Sequence, residues 1–128
     1  GYGLPLGEAF QLRDDILGVF GDPEVTGKPA GDDLREGKRT VLIAIATERA
    51  DPSQLRSIHE LLGDAHLNLN GIDTLRAIIR DTGSLDFTEN LIADLLEQSL
   101  AALANAPLDP AAVISLTQLA HNAVQRNL

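Results

Sequence analysis

The chain has no cysteine, so disulfide bridges, thiolate nucleophiles and Cys-bound zinc or iron–sulfur clusters are excluded, and no compartment is implied. Aromatic residues are nearly missing. One Tyr and three Phe make up 3% of the sequence, so any core must be built from Leu, Ile, Val and Ala. Positive charge is scarce too: ten Lys and Arg stand against nineteen Asp and Glu, for a formal charge of −9. That balance opposes the phosphate-neutralising surface nucleic acid requires and would repel an anionic lipid leaflet. No apolar run approaches the ~18 residues of a membrane-spanning helix, and no basic leader precedes an apolar segment. The expectation is a soluble, cytoplasmic protein that binds no nucleic acid and does not span a membrane.

What is present is helical spacing. At 128 residues and 13.6 kDa the chain amounts to one domain or part of a larger one. Leu6, Phe10, Leu12, Leu17 and Phe20 recur at three- and four-residue steps, predicting a well-buried helix over 4–20 that Gly21-Asp22-Pro23 ends. Residues 21–38, with Gly21, Gly27, Gly31, Gly37, Pro23 and Pro29 and no apolar stripe, read as a long functional loop. Thr40 caps a helix carrying Val41, Leu42, Ile45 and Ala46. Further helices are expected around Leu55, Ile58, Leu61 and Leu62, and from Gly71 to Asp81. The longest is expected over 85–106, where Phe87, Leu91, Leu95, Leu96, Leu100 and Leu103 would form one stripe and Glu89, Asp94 and Glu97 a solvated face. Asn105-Ala106-Pro107 breaks it. Asp109-Pro110 then starts a last helix bearing Val113, Leu116, Ala120 and Val124. No stretch alternates with period two, so the class is all-α, an antiparallel helical bundle.

Chemistry concentrates near the start. Asp14 and Asp15 are adjacent carboxylates in an otherwise apolar helix, three and four residues after Gln11, so the three project from neighbouring positions. Two anions side by side in a half-buried helix are costly unless a hard cation covers them. Carboxylates suit Mg²⁺, which takes its remaining ligands from water and substrate phosphates. A solvated acidic turn, with Arg13 as ion-pair partner, is the plainer reading of the pair alone. Lys28 and Lys38, the only lysines, each follow a glycine in the loop and could neutralise an anionic ligand; singly, each reads as a surface charge. His59, His66 and His121 are scattered and suggest no site.

The run Gly7-Glu8-Ala9-Phe10-Gln11-Leu12-Arg13-Asp14-Asp15, then Phe20-Gly21-Asp22, Thr26-Gly27-Lys28, Asp32-Asp33-Leu34 and Glu36-Gly37-Lys38-Arg39-Thr40, closely resembles the second aspartate-rich region of the trans-isoprenyl diphosphate synthases. The remainder resembles their C-terminal helices more weakly, through Thr82-Gly83-Ser84 and the helix after it. The resemblance implies the isoprenoid synthase fold, its C-terminal portion only, with residues 1–39 holding a diphosphate and Mg²⁺ site and 40–128 the scaffold. It implies Asp14 as a magnesium ligand with Asp15 in support. It further implies Lys28, Lys38 and Gln11 on an allylic diphosphate, with Phe10 and Gln11 lining the cavity beside it. The reaction implied joins that allylic diphosphate to isopentenyl diphosphate. One position departs: the motif reads Asp-Asp-x-x-Asp, and Gly18 stands at the fifth place, removing a carboxylate and opening room on that face.

The family's first aspartate-rich motif is not found in these residues, and the chain opens at Gly1 amid helix-like sequence. The expectation is therefore a fragment of a synthase, inactive alone, with uncovered apolar faces favouring a homodimer or a helix-exchanged oligomer. The alternatives are a non-catalytic binding or regulatory subunit of a synthase and a relative of class I terpene cyclases, although the second metal motif of those cyclases has a different form.

Overall fold

The first helix, α1 (Gly3–Phe20), follows from an unbroken run of helix-compatible residues, and it buries Ala9, Leu12, Ile16 and Val19, a stripe at steps of three, four and three. The spacing of Leu6, Phe10, Leu17 and Phe20 pointed to the neighbouring face, yet those four are only half-buried. A helix apolar on two sides does not reveal from its own period which side faces inward. The computed structural model describes residues 3–21, 23–27, 29, 31–105 and 109–124. Asp22, Lys28, the Ala106-Pro107 break and the Val124 side chain lie outside the described residues.

The segment 21–38, expected as a long functional loop, holds the short helices α2 (Pro23–Thr26) and α3 (Asp32–Glu36). Short as it is, α3 is bounded by glycines in the left-handed conformation, Gly31 at φ 65° and Gly37 at φ 72°. Its end is closed by a Schellman pair, Gly37 N–H to Leu34 O and Lys38 N–H to Asp33 O. Buried Leu34 anchors it. Gly37 and Gly63 approach so closely that a Cβ on Gly37 would lie 3.0 Å from the Gly63 Cα, and Gly63 N–H donates to Leu34 O at 2.8 Å.

Side-chain caps start the next three helices. Thr40 Oγ1 accepts from Ile43 N–H at the head of α4 (Val41–Arg49). Asp51 and Gln54 form a reciprocal capping box on α5 (Pro52–Leu61). Asn68 caps α6 (Leu69–Asp81), two residues ahead of the expected start, because Asn68 Oδ1 receives Gly71 N–H. Next come α7 (Ser84–Ala104) and α8 (Pro110–Val124), the latter capped by Asp109 Oδ1 accepting from Ala111 and Ala112 N–H.

The expected stripe of α7 is rotated. Phe87 is 43% exposed beneath the Arg49 guanidinium, 5.4 Å from its ring centre. Leu91 and Leu100 are half-buried, and the buried line runs through Ser84, Thr88, Ile92, Leu95, Leu96, Ser99 and Leu103. Three hydroxyls sit on that line because each finds a carbonyl: Ser84 donates to Leu42 O, Thr88 to Ser84 O and Ser99 to Leu95 O. A buried hydroxyl with an acceptor escapes the desolvation penalty that makes Ser and Thr look like surface residues.

The described residues of Gly1–Arg13 and Glu89–Arg126 form one compact unit, and those of Asp14–Thr88 another. In the first, Ala9, Leu12, Ile92, Leu95, Leu96, Leu103 and Ala120 are the buried apolar residues. In the second, α6 packs against α4 and α5 around Leu42, Ile43, Ala46, Ile58, Ile72, Leu75 and Ile79. Among the described residues no helix is long and apolar enough to cross a membrane.

Candidate functional site

The second unit begins with the half of α1 that carries Asp14 and Asp15, and the end of that helix is held from α6. Arg76 Nε donates to Val19 O at 2.6 Å. The Arg76 and Arg80 guanidinium carbons stand 5.9 and 4.7 Å from the centre of the Phe20 ring. Cations at a helix C-terminus satisfy its free carbonyls and complement the negative end of its dipole. Burial lowers the Arg76 pKa, and neighbouring Arg80 lowers it further while Asp73 opposes both; a guanidinium stays charged regardless.

Asp14 is half-buried and Asp15 buried. Facing them, α3 brings up buried Asp33, and the Schellman turn returns Lys38 over the same ground. Lys38 Nζ stands 3.6 Å from Asp15 Oδ1 and 3.9 Å from Asp33 Oδ2. These are charge contacts longer than hydrogen bonds, made by a side chain 46% exposed. Lys38 thus bridges two carboxylates at a partly open position, and hard oxygen donors of this kind suit a divalent cation. Gly18, three residues past Asp15, abuts this group. A Cβ built on it would overlap the Asp33 carboxylate.

Among the residues singled out by sequence, Asp14, Asp15 and Lys38 share the second unit, while Lys28 lies outside the described residues. Phe10, half-buried, and Gln11, exposed, fall in the first unit. Arg13, the alternative partner for the aspartates, forms a fork with Glu89, Nη1 to Oε1 at 2.9 Å and Nη2 to Oε2 at 2.8 Å. Glu89, whose side chain is 35% exposed, thus joins an ion pair as well as the polar face of α7. Asp33 carried no assigned role in the sequence reading. The signal available for it was the Asp32-Asp33 doublet between two glycines that force a tight helical turn. Asp32, Asp33 and Glu36 bring ligand oxygens within 4.8 Å of one another, an arrangement that the positive end of α3 explains by itself for the two aspartates.

Residues 1–79 match the polyprenyl synthetase family model. The chain belongs to the polyprenyl synthetase family, the trans-isoprenyl diphosphate synthases. It is 41% identical over 105 residues to a geranylfarnesyl diphosphate synthase of Aeropyrum pernix, covering 82% of this chain and 32% of that one. It is 32% identical over 126 residues to a geranylgeranyl diphosphate synthase of Saccharolobus solfataricus, covering 98% and 38%. The chain thus spans about a third of the length of these relatives. Among solved structures, a geranylgeranyl pyrophosphate synthase of Corynebacterium glutamicum complexed with isoprenyl diphosphate and magnesium superposes with a TM-score of 0.92. The identity is 43%, over 98% of this chain and 36% of that one. A polyprenyl synthase of Caulobacter crescentus complexed with calcium and isoprenyl diphosphate gives 0.85 at 38% identity, over 99% and 38%. The all-α helical fold of the polyprenyl synthetases is the fold of this chain.

Proposed function

We propose that the chain is the C-terminal part of a magnesium-dependent isoprenyl diphosphate synthase, residues 1–39 carrying its second aspartate-rich site and residues 40–128 the supporting helices. In the whole enzyme an allylic diphosphate loses its diphosphate, the double bond of isopentenyl diphosphate attacks the allylic carbon, and a proton leaves. The product is one isoprene unit longer, with inorganic diphosphate released. The observation that carries this reading is the convergence of Lys38 with buried Asp15 and Asp33 beside Asp14 on a motif-bearing helix.

Asp14 and Asp15 would hold Mg²⁺, since the donor set is hard oxygen and half-shielded from water. Bound there, the ion would supply charge that stabilises the departing diphosphate. Lys38 and Lys28 bind the diphosphate oxygens and orient it, their ammonium groups neutralising what the metal leaves. Phe10 excludes water from the reacting carbon and Gln11 lines the same cavity. The partner half of the clamp, a first aspartate-rich motif, is not among these 128 residues, so the chain alone should make no elongated product. Exposed Ile114 and Leu119 on α8, 70% and 61% accessible, support an assembly in which further protein covers that helix, such as a homodimer or helix exchange.

Calorimetric titration of inorganic pyrophosphate with and without Mg²⁺ tests the site. Binding should depend on the metal and should fall at least about tenfold in Asp14→Ala. Equal binding by the variant would remove the assignment. Metal-dependent binding without condensation, even in the longest natural form of the protein, would favour a regulatory subunit instead.

A further inference from the structure

A helix of five residues does not hold its shape unaided, because forming its first turn costs more than so few hydrogen bonds return. What α3 leans on, and with it the Schellman turn that carries Lys38, is the segment between α5 and α6. That segment, residues 62–67, is closed by its own backbone. Leu62 N–H donates to Ile58 O at 3.0 Å, Asp64 N–H to Leu61 O at 3.2 Å and Leu67 N–H to Asp64 O at 3.0 Å. Asp64 Oδ1 also accepts His66 N–H at 2.9 Å, and buried Leu67 roots the turn.

The turn is clasped to α3 at both of its ends. Leu34 O accepts Gly37 N–H at 3.2 Å within its own turn and Gly63 N–H at 2.8 Å from across the gap, so both lone pairs of one carbonyl are used. Arg35 Nε donates to Leu67 O at 3.0 Å. Beside these bonds the Gly37 and Gly63 backbones touch, an approach that a side chain at 37 would block, since its Cβ would sit 3.0 Å from Gly63 Cα. Lys38, whose ammonium stands between Asp15 and Asp33, is the next residue.

We propose that Arg35 is a positioning residue: by binding the 62–67 turn it fixes the tilt of α3 and so holds the Lys38 ammonium beside Asp15. What Lys38 does there rests on the diphosphate-site reading, but the clasp and its hold on Lys38 stand apart from it. Without the Arg35 bond, α3 keeps the Gly63 bond to Leu34 O as a pivot. The long side chain at its end then follows any tilt.

Lys38 itself reports on the clasp. Reductive methylation with ¹³C-formaldehyde keeps the ammonium charged, and the Lys38 methyl signal, identified by its absence in Lys38→Arg, reads the carboxylates beside it. In metal-free protein, Arg35→Gln should move that signal toward the position of a solvated lysine. Gly63→Ala, which strains the left-handed backbone at φ 82°, should move it the same way and carries the test should Arg35→Gln not fold. Asp51→Ala opens the capping box at the other end of α5; it is the control for lost stability and should leave the signal in place. A signal unmoved by Arg35→Gln, or moved equally by Asp51→Ala, would overturn the clasp. In titrations of inorganic pyrophosphate with Mg²⁺, Arg35→Gln should bind about tenfold more weakly, as when a group that orients a ligand is lost, and Asp51→Ala should bind as the unaltered protein does. Equal binding by Arg35→Gln would sink its positioning role. If the unaltered protein binds no pyrophosphate, the proposed function falls, whereas the methyl signal still decides whether Arg35 holds Lys38 in place.

Discussion

Arg13 and Glu89 meet through two parallel charge-assisted hydrogen bonds of 2.9 and 2.8 Å across 76 positions of sequence. The arginine side chain is 10% exposed and the glutamate 35%, so the fork is shielded at one end and wet at the other. Glu89→Ala should cost about 2 kcal/mol, and Glu89→Gln, which keeps a neutral acceptor, about half of that. Urea unfolding at constant m-value measures both.

Lys38 gives effects of opposite sign. Replacing it with Met removes a positive charge within 4 Å of Asp15 and Asp33, so Mg²⁺ alone should bind about fivefold more tightly, a gain of roughly 1 kcal/mol at this half-exposed position. Inorganic pyrophosphate, deprived of its cation, should bind more weakly. Paired titrations with Mg²⁺ and with pyrophosphate separate the two, and weakening of both would count against Lys38 as a diphosphate ligand.

Gly31 and Gly27 share a left-handed backbone, at φ 65° and 73°, but not their surroundings. A Cβ at Gly31 would come within 2.9 Å of the buried Ile72 side chain, whereas among the described residues nothing lies within 4 Å of one at Gly27. Gly31→Ala should therefore destabilise by about 2–4 kcal/mol and Gly27→Ala by about 1 kcal/mol. Thermal melts of the two variants side by side distinguish backbone strain from overpacking.

Arg76 ties α6 to the last turn of α1 through Val19 O. Arg76→Met keeps the apolar stem and removes the donor and the charge over Phe20, and it should cost about 1–3 kcal/mol. Hydrogen exchange should speed up in the last turn of α1 while the centre of α5 stays protected. Uniform exchange across the unit would show that the tie is not local.

Much of the fold was legible because its signals are local. Thr40 and Asp109 act as caps on backbone groups two or three residues away, and such bonds depend on nothing distant in the chain. The site was legible to the extent that Asp14, Asp15 and Lys38 sit in a run whose order resembles one family. The failures share one cause. Spacing on α1 and α7 does not choose between two apolar faces, and Ser84, Thr88 and Ser99 carry no sign of burial in the sequence, because the carbonyls that satisfy them are fixed by the fold. The glycines of 21–38 indicate a loop, although Gly31 and Gly37 are what let five residues form α3.

The same division holds for the aspartate-rich helix. The residues themselves determined an acidic, cysteine-free, all-α chain with a pair of carboxylates on its first helix, since composition, period and capping act within a few residues. Tertiary structure alone decided that Arg13 belongs to Glu89, that Lys38 stands between Asp15 and Asp33, and that the space beside Gly18 is taken. Arg13 and Glu89, Lys38 and Asp15, and Gly18 and Asp33 are each at least 15 positions apart, and no local rule carries the position of one to the other. Only the packing of α3 against α1 places the carboxylate of Asp33 where the backbone of Gly18 leaves room for it.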